Sequence, residues 1–139
     1  LGYVVGWTDG IQMVQKLCTP HHTNAFAMKI AEELLKNPEI IDKLISDFNE
    51  GRQYLISMLN KYNYPYKGEA GNFIFIKPVK NPKEIVGRMK SEKKILIKTY
   101  SNVGVLGDCL RVSIGARKYM EQFVAALLEI DRDNIGDQL

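Results

Sequence analysis

At 139 residues, 45% hydrophobic and 25% charged, the chain has the size and composition of one globular domain with a real core. A formal net charge of +3 and a pI near 8.8 are spread along the chain, densest from Lys90 to Lys98, too thin a patch to predict a nucleic-acid partner. No apolar run approaches the ~20 residues a membrane span needs, and Leu1-Gly2-Tyr3-Val4-Val5-Gly6 carries no basic leader, so neither secretion nor a membrane partner is expected.

The first element predicted is a short strand, Leu1 to Gly6. The chain starts within it and without Met, so it reads as a fragment or a processed form. Thr8 or Asp9 is expected to cap a helix running through Leu17, with Ile11, Val14 and Leu17 or Cys18 on one face. Thr19-Pro20 stops it, and Thr23 or Asn24 caps a second helix from Ala25 to Lys36. Asn37-Pro38 reads as a cap followed by proline at the first helical position. The third helix is then one amphipathic segment from 38 to 62, with Ile41, Ile45, Phe48, Arg52, Leu55, Leu59 and Tyr62 at three/four spacing and Gly51 as a mild weak point.

Tyr64-Pro65 and Lys67-Gly68 read as a turn. Asn72 to Lys77 reads as a strand, Phe73 and Phe75 on one face and Ile74 and Ile76 on the other, expected to be covered on both sides. Asn81-Pro82 starts a short helix with Ile85, Val86 and Met89 inward. Ile95 to Tyr100 and Cys109 to Ile114 read as strands, and the loop punctuated by Gly104 and Gly107 makes them antiparallel neighbours. A last helix from Arg117 to Ile130 carries the stripe Met120, Phe123, Val124, Leu127 and Leu128, and Asp131 to Leu139 reads as a frayed polar tail. The predicted fold class is α+β: a two-layer domain with helices packed on one side of a small mixed or antiparallel sheet. The first strand, cut off from the others by three helices, is expected to pair with a sheet outside this chain.

Arg111 is the most pointed residue. On an alternating strand, Leu110, Val112 and Ile114 share the core face, so Arg111, with Cys109 and Ser113, faces away. A guanidinium on a rigid strand is a two-pronged donor for a carboxylate or phosphate. Lys98 ends the neighbouring strand, and two cations on one side repel unless an anion sits between them. Each also has a plainer reading, as a strand arginine paired with a nearby acid and a solvated lysine.

Other chemistry is thin. Cys18 and Cys109 have no metal or redox spacing and read as reduced core residues. His21 and His22 are adjacent but lack the acids or thiols of a metal or acid/base site, and read as the lining of a bend. Phosphate-loop, dinucleotide-glycine and nucleophile-elbow motifs are missing from the sequence.

Ile95-Leu96-Ile97-Lys98, the Gly104 loop, Cys109-Leu110-Arg111-Val112-Ser113-Ile114-Gly115 and the closing helix together resemble the C-terminus of class I/II aminotransferases, fold-type I pyridoxal-phosphate enzymes, on the histidinol-phosphate aminotransferase branch. Other blocks follow in the same order. Leu1-Gly2-Tyr3 resembles the end of the family's Gly-x-Arg-x-Gly-Tyr stretch, Thr19-Pro20-His21-His22-Thr23-Asn24 its Pro-Tyr/Phe-Asn-Val-Asn bend, and Ala70-Gly71-Asn72-Phe73-Ile74 its Ala-Asn-Phe strand. Histidines replace the bend's aromatic and Asn, and Lys98 stands where that branch commonly has arginine, keeping the charge but losing the fork.

The resemblance implies a division of the chain. Residues 1–6 would be a remnant strand of a large cofactor domain, 7–36 connecting helices, 37–131 the small domain and 132–139 a tail. It implies pyridoxal 5′-phosphate in the full-length protein, with its lysine and phosphate-binding arginine before Leu1 and no catalytic or cofactor-binding residue here. Arg111 would anchor the carboxylate, or the equivalent anionic end, of an amino donor, and Lys98 would neutralise a second anionic group. The partners implied are an amino donor, a 2-oxo acid, the large domain and a second copy, in a cytoplasmic homodimer. The isolated piece is expected to be inactive. Two other readings stay open: a stand-alone anion-binding module, and a decarboxylase of the same fold.

Overall fold

In a computed structural model the described residues are 2, 4–18, 24–68 and 70–132. They form two compact units, Leu1–Leu44 and Ile45–Leu139.

The first unit holds α1 (Thr8–Gln15), α2 (Ala25–Lys36) and the start of α3 (Pro38–Lys61). Gly2 and Val4 to Gly6 join no ladder within this chain, where the strand expected there was to pair with a sheet outside it; Leu1 and Tyr3 lie outside the described residues. Trp7, not Thr8 or Asp9, occupies the N-cap of α1 and gives no side-chain cap bond. Asn24 caps α2 by accepting from the Ala27 N–H at 3.1 Å. Asn37 departs from its expected role: its side chain donates back to the Glu33 carbonyl at 2.8 Å and closes α2 instead of capping α3. Neither α1 nor α2 buries a residue, and Cys18, expected in the core, is exposed. Thr19 to Thr23, including both histidines, lie outside the described residues.

The second unit is the α+β layer pair. Strands β1 (Tyr66–Lys67), β2 (Phe73–Ile76), β3 (Lys98–Tyr100) and β4 (Cys109–Ser113) form one sheet in the order β1-β2-β4-β3, with every pair antiparallel. The core joins Leu55 and Leu59 of α3, Ile74 and Ile76 of β2 and Leu110 and Val112 of β4 to the buried faces of α4 (Pro82–Lys93) and α5 (Arg117–Arg132). The alternation works as read for Ile74 and Ile76, but Phe73 and Phe75 stay partly exposed, so β2 is fully covered on one face only. β1, read as a turn, is too short to show a period.

β3 starts three residues later than predicted for a local reason. Lys94 takes the left-handed conformation, and the Ile95 N–H returns to the Met89 carbonyl at 3.0 Å. The α4 C-cap therefore consumes the residues that would open the strand. Asn81 caps that helix through the Lys83 N–H, as its sequence announces.

Two residues gain importance. Gly51, read as a weak point of α3, is buried, and a Cβ there would overlap the Gly115 carbonyl oxygen, so it marks the closest approach of α3 to the turn before α5. Asp131, read as tail, is 1% exposed and still helical. Its carboxylate accepts from the Val79 N–H at 2.9 Å and the Lys80 N–H at 2.7 Å, pinning the loop between β2 and α4. Arg132, also helical, donates to the Tyr62 carbonyl.

Candidate functional site: a cationic sheet face with an aromatic wall

β4 is a central strand, hydrogen-bonded to β2 on one side and β3 on the other. Its alternation buries Leu110 and Val112 and leaves Arg111 half-buried on the opposite face. Register then decides its neighbours. Arg111 lies directly opposite Phe75 of β2 and Lys98 of β3, and Phe75 lies opposite Lys67 of β1. One row across the sheet thus reads Lys67, Phe75, Arg111, Lys98. The expected pairing of the two predicted site residues is present, and they share a face.

The Arg111 guanidinium carbon sits 4.2 Å from the Phe73 ring centroid and 5.9 Å from that of Tyr100. Phe75 touches both rings edge-on, its centroid 5.2 Å from Phe73 and 5.6 Å from Tyr100. Among the described residues the Arg111 guanidinium makes no hydrogen bond and no ion pair; nor does the Lys98 ammonium. The plainer reading, a strand arginine neutralised by a nearby acid, finds no such acid among the described residues. Its N–H donors have no partner among the described residues. The aromatic flank went unread in the sequence, although the Phe73/Phe75 alternation was visible, because which face meets Arg111 is set by strand register.

Arg52 was counted in the α3 stripe but has a different task. It lies 5.0 Å from the Phe48 centroid and donates to the Gly68 and Gly71 carbonyls, tying α3 to the β1–β2 turn. Cys109 is fully buried; burial, then the Asp108 carboxylate, pushes its thiol up, so it stays protonated at neutral pH and offers no nucleophile. Among the described residues no group of His, Cys, Asp and Glu could hold a metal. No helix there is long and apolar enough to cross a membrane.

A central-strand arginine opposite a lysine, on a small antiparallel sheet backed by helices, marks the exposed sheet face of an α+β small domain. The chain belongs to the aminotransferase class I and II family, whose family model matches residues 1–127. It is 28% identical over 130 residues to a histidinol-phosphate aminotransferase of Geotalea daltonii, covering 94% of this chain and 37% of that one. The chain spans about a third of the length of the curated relatives it matches. In fold it is similar to a solved Burkholderia pseudomallei protein assigned as an aminotransferase, with a TM-score of 0.68 at 19% identity over 87% of this chain and 37% of that one. A decarboxylase from Sulfurospirillum multivorans shares the fold with a TM-score of 0.59 at 23% identity, over 74% and 26%.

Proposed function

We propose that this chain is the substrate-anchoring small domain of a pyridoxal-phosphate-dependent aminotransferase of the histidinol-phosphate type. The whole protein moves an amino group between an amino acid or amino-phosphate donor and a 2-oxo acid. The observation that carries the reading is the half-buried Arg111 guanidinium, fixed on a central strand, stacked on a ring and, among the described residues, paired with no acid.

Arg111 takes the carboxylate, or equivalent anionic end, of the substrate through its two-pronged edge. Lys98, directly opposite, neutralises a second anionic group. An anion between them removes the repulsion of two facing cations and is held at a fixed height above the sheet, which orients the amino end for reaction.

Pyridoxal 5′-phosphate, when bound, supplies the electron-withdrawing ring on which such transfer runs. The residues of this chain do not fit that group. Among the described residues every lysine is exposed or half-exposed, none in the desolvated setting that activates a carrier lysine. The chain's share is the anionic end of the substrate and closure over it, so it is inactive alone. The full-length protein is then a cytoplasmic homodimer whose carrier lysine lies before Leu1.

The test is the intact mass of the natural polypeptide, taken before and after borohydride reduction. A much heavier chain that gains a pyridoxyl adduct supports the reading, and amine transfer rather than carbon dioxide release then separates it from a decarboxylase. A chain of this size with no adduct overturns it in favour of an independent anion-binding module.

A further inference from the structure

Arg111 raises a question of physics: what holds it still. An arginine side chain carries about 2 kcal/mol of rotamer freedom, and one that swings must lose that freedom each time it binds. A carboxylate partner would fix it but would also occupy its fork. By strand alternation the face it shares carries Lys67, Phe73, Phe75, Lys77, Lys98, Tyr100, Cys109 and Ser113 among the described residues, without an acid. What touches the guanidinium is aromatic, and unequally so. Phe73, on β2, lies at 4.2 Å, and Tyr100, on β3, at 5.9 Å. Phe73 is not the residue opposite Arg111 but its diagonal neighbour, since Phe75 holds the opposite place and Phe73 faces Ser113. The guanidinium therefore lies closer to the Phe73 ring of β2 than to the Tyr100 ring of β3. Phe75 packs edge-on against the Phe73 ring, 5.2 Å between centroids.

We infer that Phe73 is the positioning residue of the Arg111 anchor: the face of its ring confines the guanidinium on the β2 side, leaves the hydrogen-bonding fork free, and opens the gap to Lys98 in which the anion sits. Ring and cation attract without consuming a donor, which no carboxylate partner could do. The inference rests on the reading of Arg111 as a carboxylate anchor.

The experiment uses the natural polypeptide that contains this sequence. Phe73→Leu, which keeps an apolar side chain but loses the ring, is compared with Phe73→Tyr, which restores it, and with Arg111→Lys. The readouts are KM for the carboxylate substrate, kcat, the Kd of glutarate as an unreactive dicarboxylate, the melting temperature, and the ring-current shift of the Arg111 side-chain protons. The expected result is a roughly fivefold rise in KM and in the glutarate Kd for Phe73→Leu with kcat unchanged and the ring-current shift lost, and recovery of all of them in Phe73→Tyr. If Arg111→Lys weakens binding while Phe73→Leu does not, the positioning role is overturned and the anchor stands. If neither weakens it, the anchor itself fails and takes this inference with it. If Phe73→Leu and Phe73→Tyr both lower the melting temperature and kcat together, Phe73 is a packing residue and the inference is overturned.

Discussion

Lys98 stands directly opposite Arg111 in the antiparallel pairing of β3 with β4, two like charges side by side on one sheet face. Facing cations destabilise a sheet when nothing lies between them. Replacing Lys98 with glutamate should relieve that repulsion and stabilise the chain by about 0.5 kcal/mol, read as a small rise in melting temperature. The same change should weaken glutarate binding by the natural polypeptide, because the new carboxylate occupies the Arg111 fork. Loss of stability together with unchanged binding would remove the pair from the site.

Arg111→Ala should raise KM for the carboxylate substrate strongly, by the equivalent of about 2–5 kcal/mol of binding. Under the proposed function the cofactor is held by residues outside this chain, so its binding should persist, and absorbance of the bound cofactor measures it independently. An unchanged KM would exclude Arg111 as the anchor.

Gly51→Ala tests whether close packing outweighs helix preference. In an open helix alanine is favoured over glycine by about 1 kcal/mol. Here the added methyl meets the Gly115 carbonyl oxygen, a backbone atom that cannot turn aside. The expected outcome is a net destabilisation of about 2 kcal/mol in denaturant unfolding, opposite in sign to the propensity.

Tyr64 should make the fold sensitive to alkali. It is 4% exposed, and its hydroxyl has no hydrogen-bond partner among the described residues. Burial, then the Asp131 negative charge, pushes the phenol well above its ordinary value of 10.0. With the folded value raised, the native state keeps the proton after the unfolded state has lost it. The resulting stabilisation is complete below pH 10 and is lost as pH rises above it. Tyr64→Phe should therefore match the parent near neutrality and lose less stability above pH 10.

Asp131→Ala should cost about 2 kcal/mol, because it removes a buried carboxylate that accepts from the part-buried Val79 and Lys80 N–H groups. Asp131→Asn keeps one acceptor oxygen and should cost less, as melting temperatures of the pair would show.

The class of fold was legible from periodicity. The α2 span, the long α3, the Asn81-Pro82 start of α4, the Phe73-to-Ile76 alternation and the α5 stripe are local signals, and each formed where its residues placed it. The Arg111 and Lys98 pairing was legible because a short glycine-bearing loop joins their strands. Local reading failed where a competing local bond won, at Asn37 and at the α4 cap, and where a distant contact took over, at Asp131. Asn37 served the helix behind it, the α4 cap took the start of β3, and Asp131 left the tail to hold a loop more than 50 residues away in sequence.

By itself the sequence determined the α+β class, the core stripes and a strand arginine with a lysine beside it, because hydrophobic period and cap chemistry act over a few residues. Only the tertiary structure decided that Arg111 rests on Phe73 rather than on an acid, that Gly51 must lack a side chain, and that Asp131 is buried. Those facts depend on strand register and on the approach of elements far apart along the chain, which no local pattern encodes.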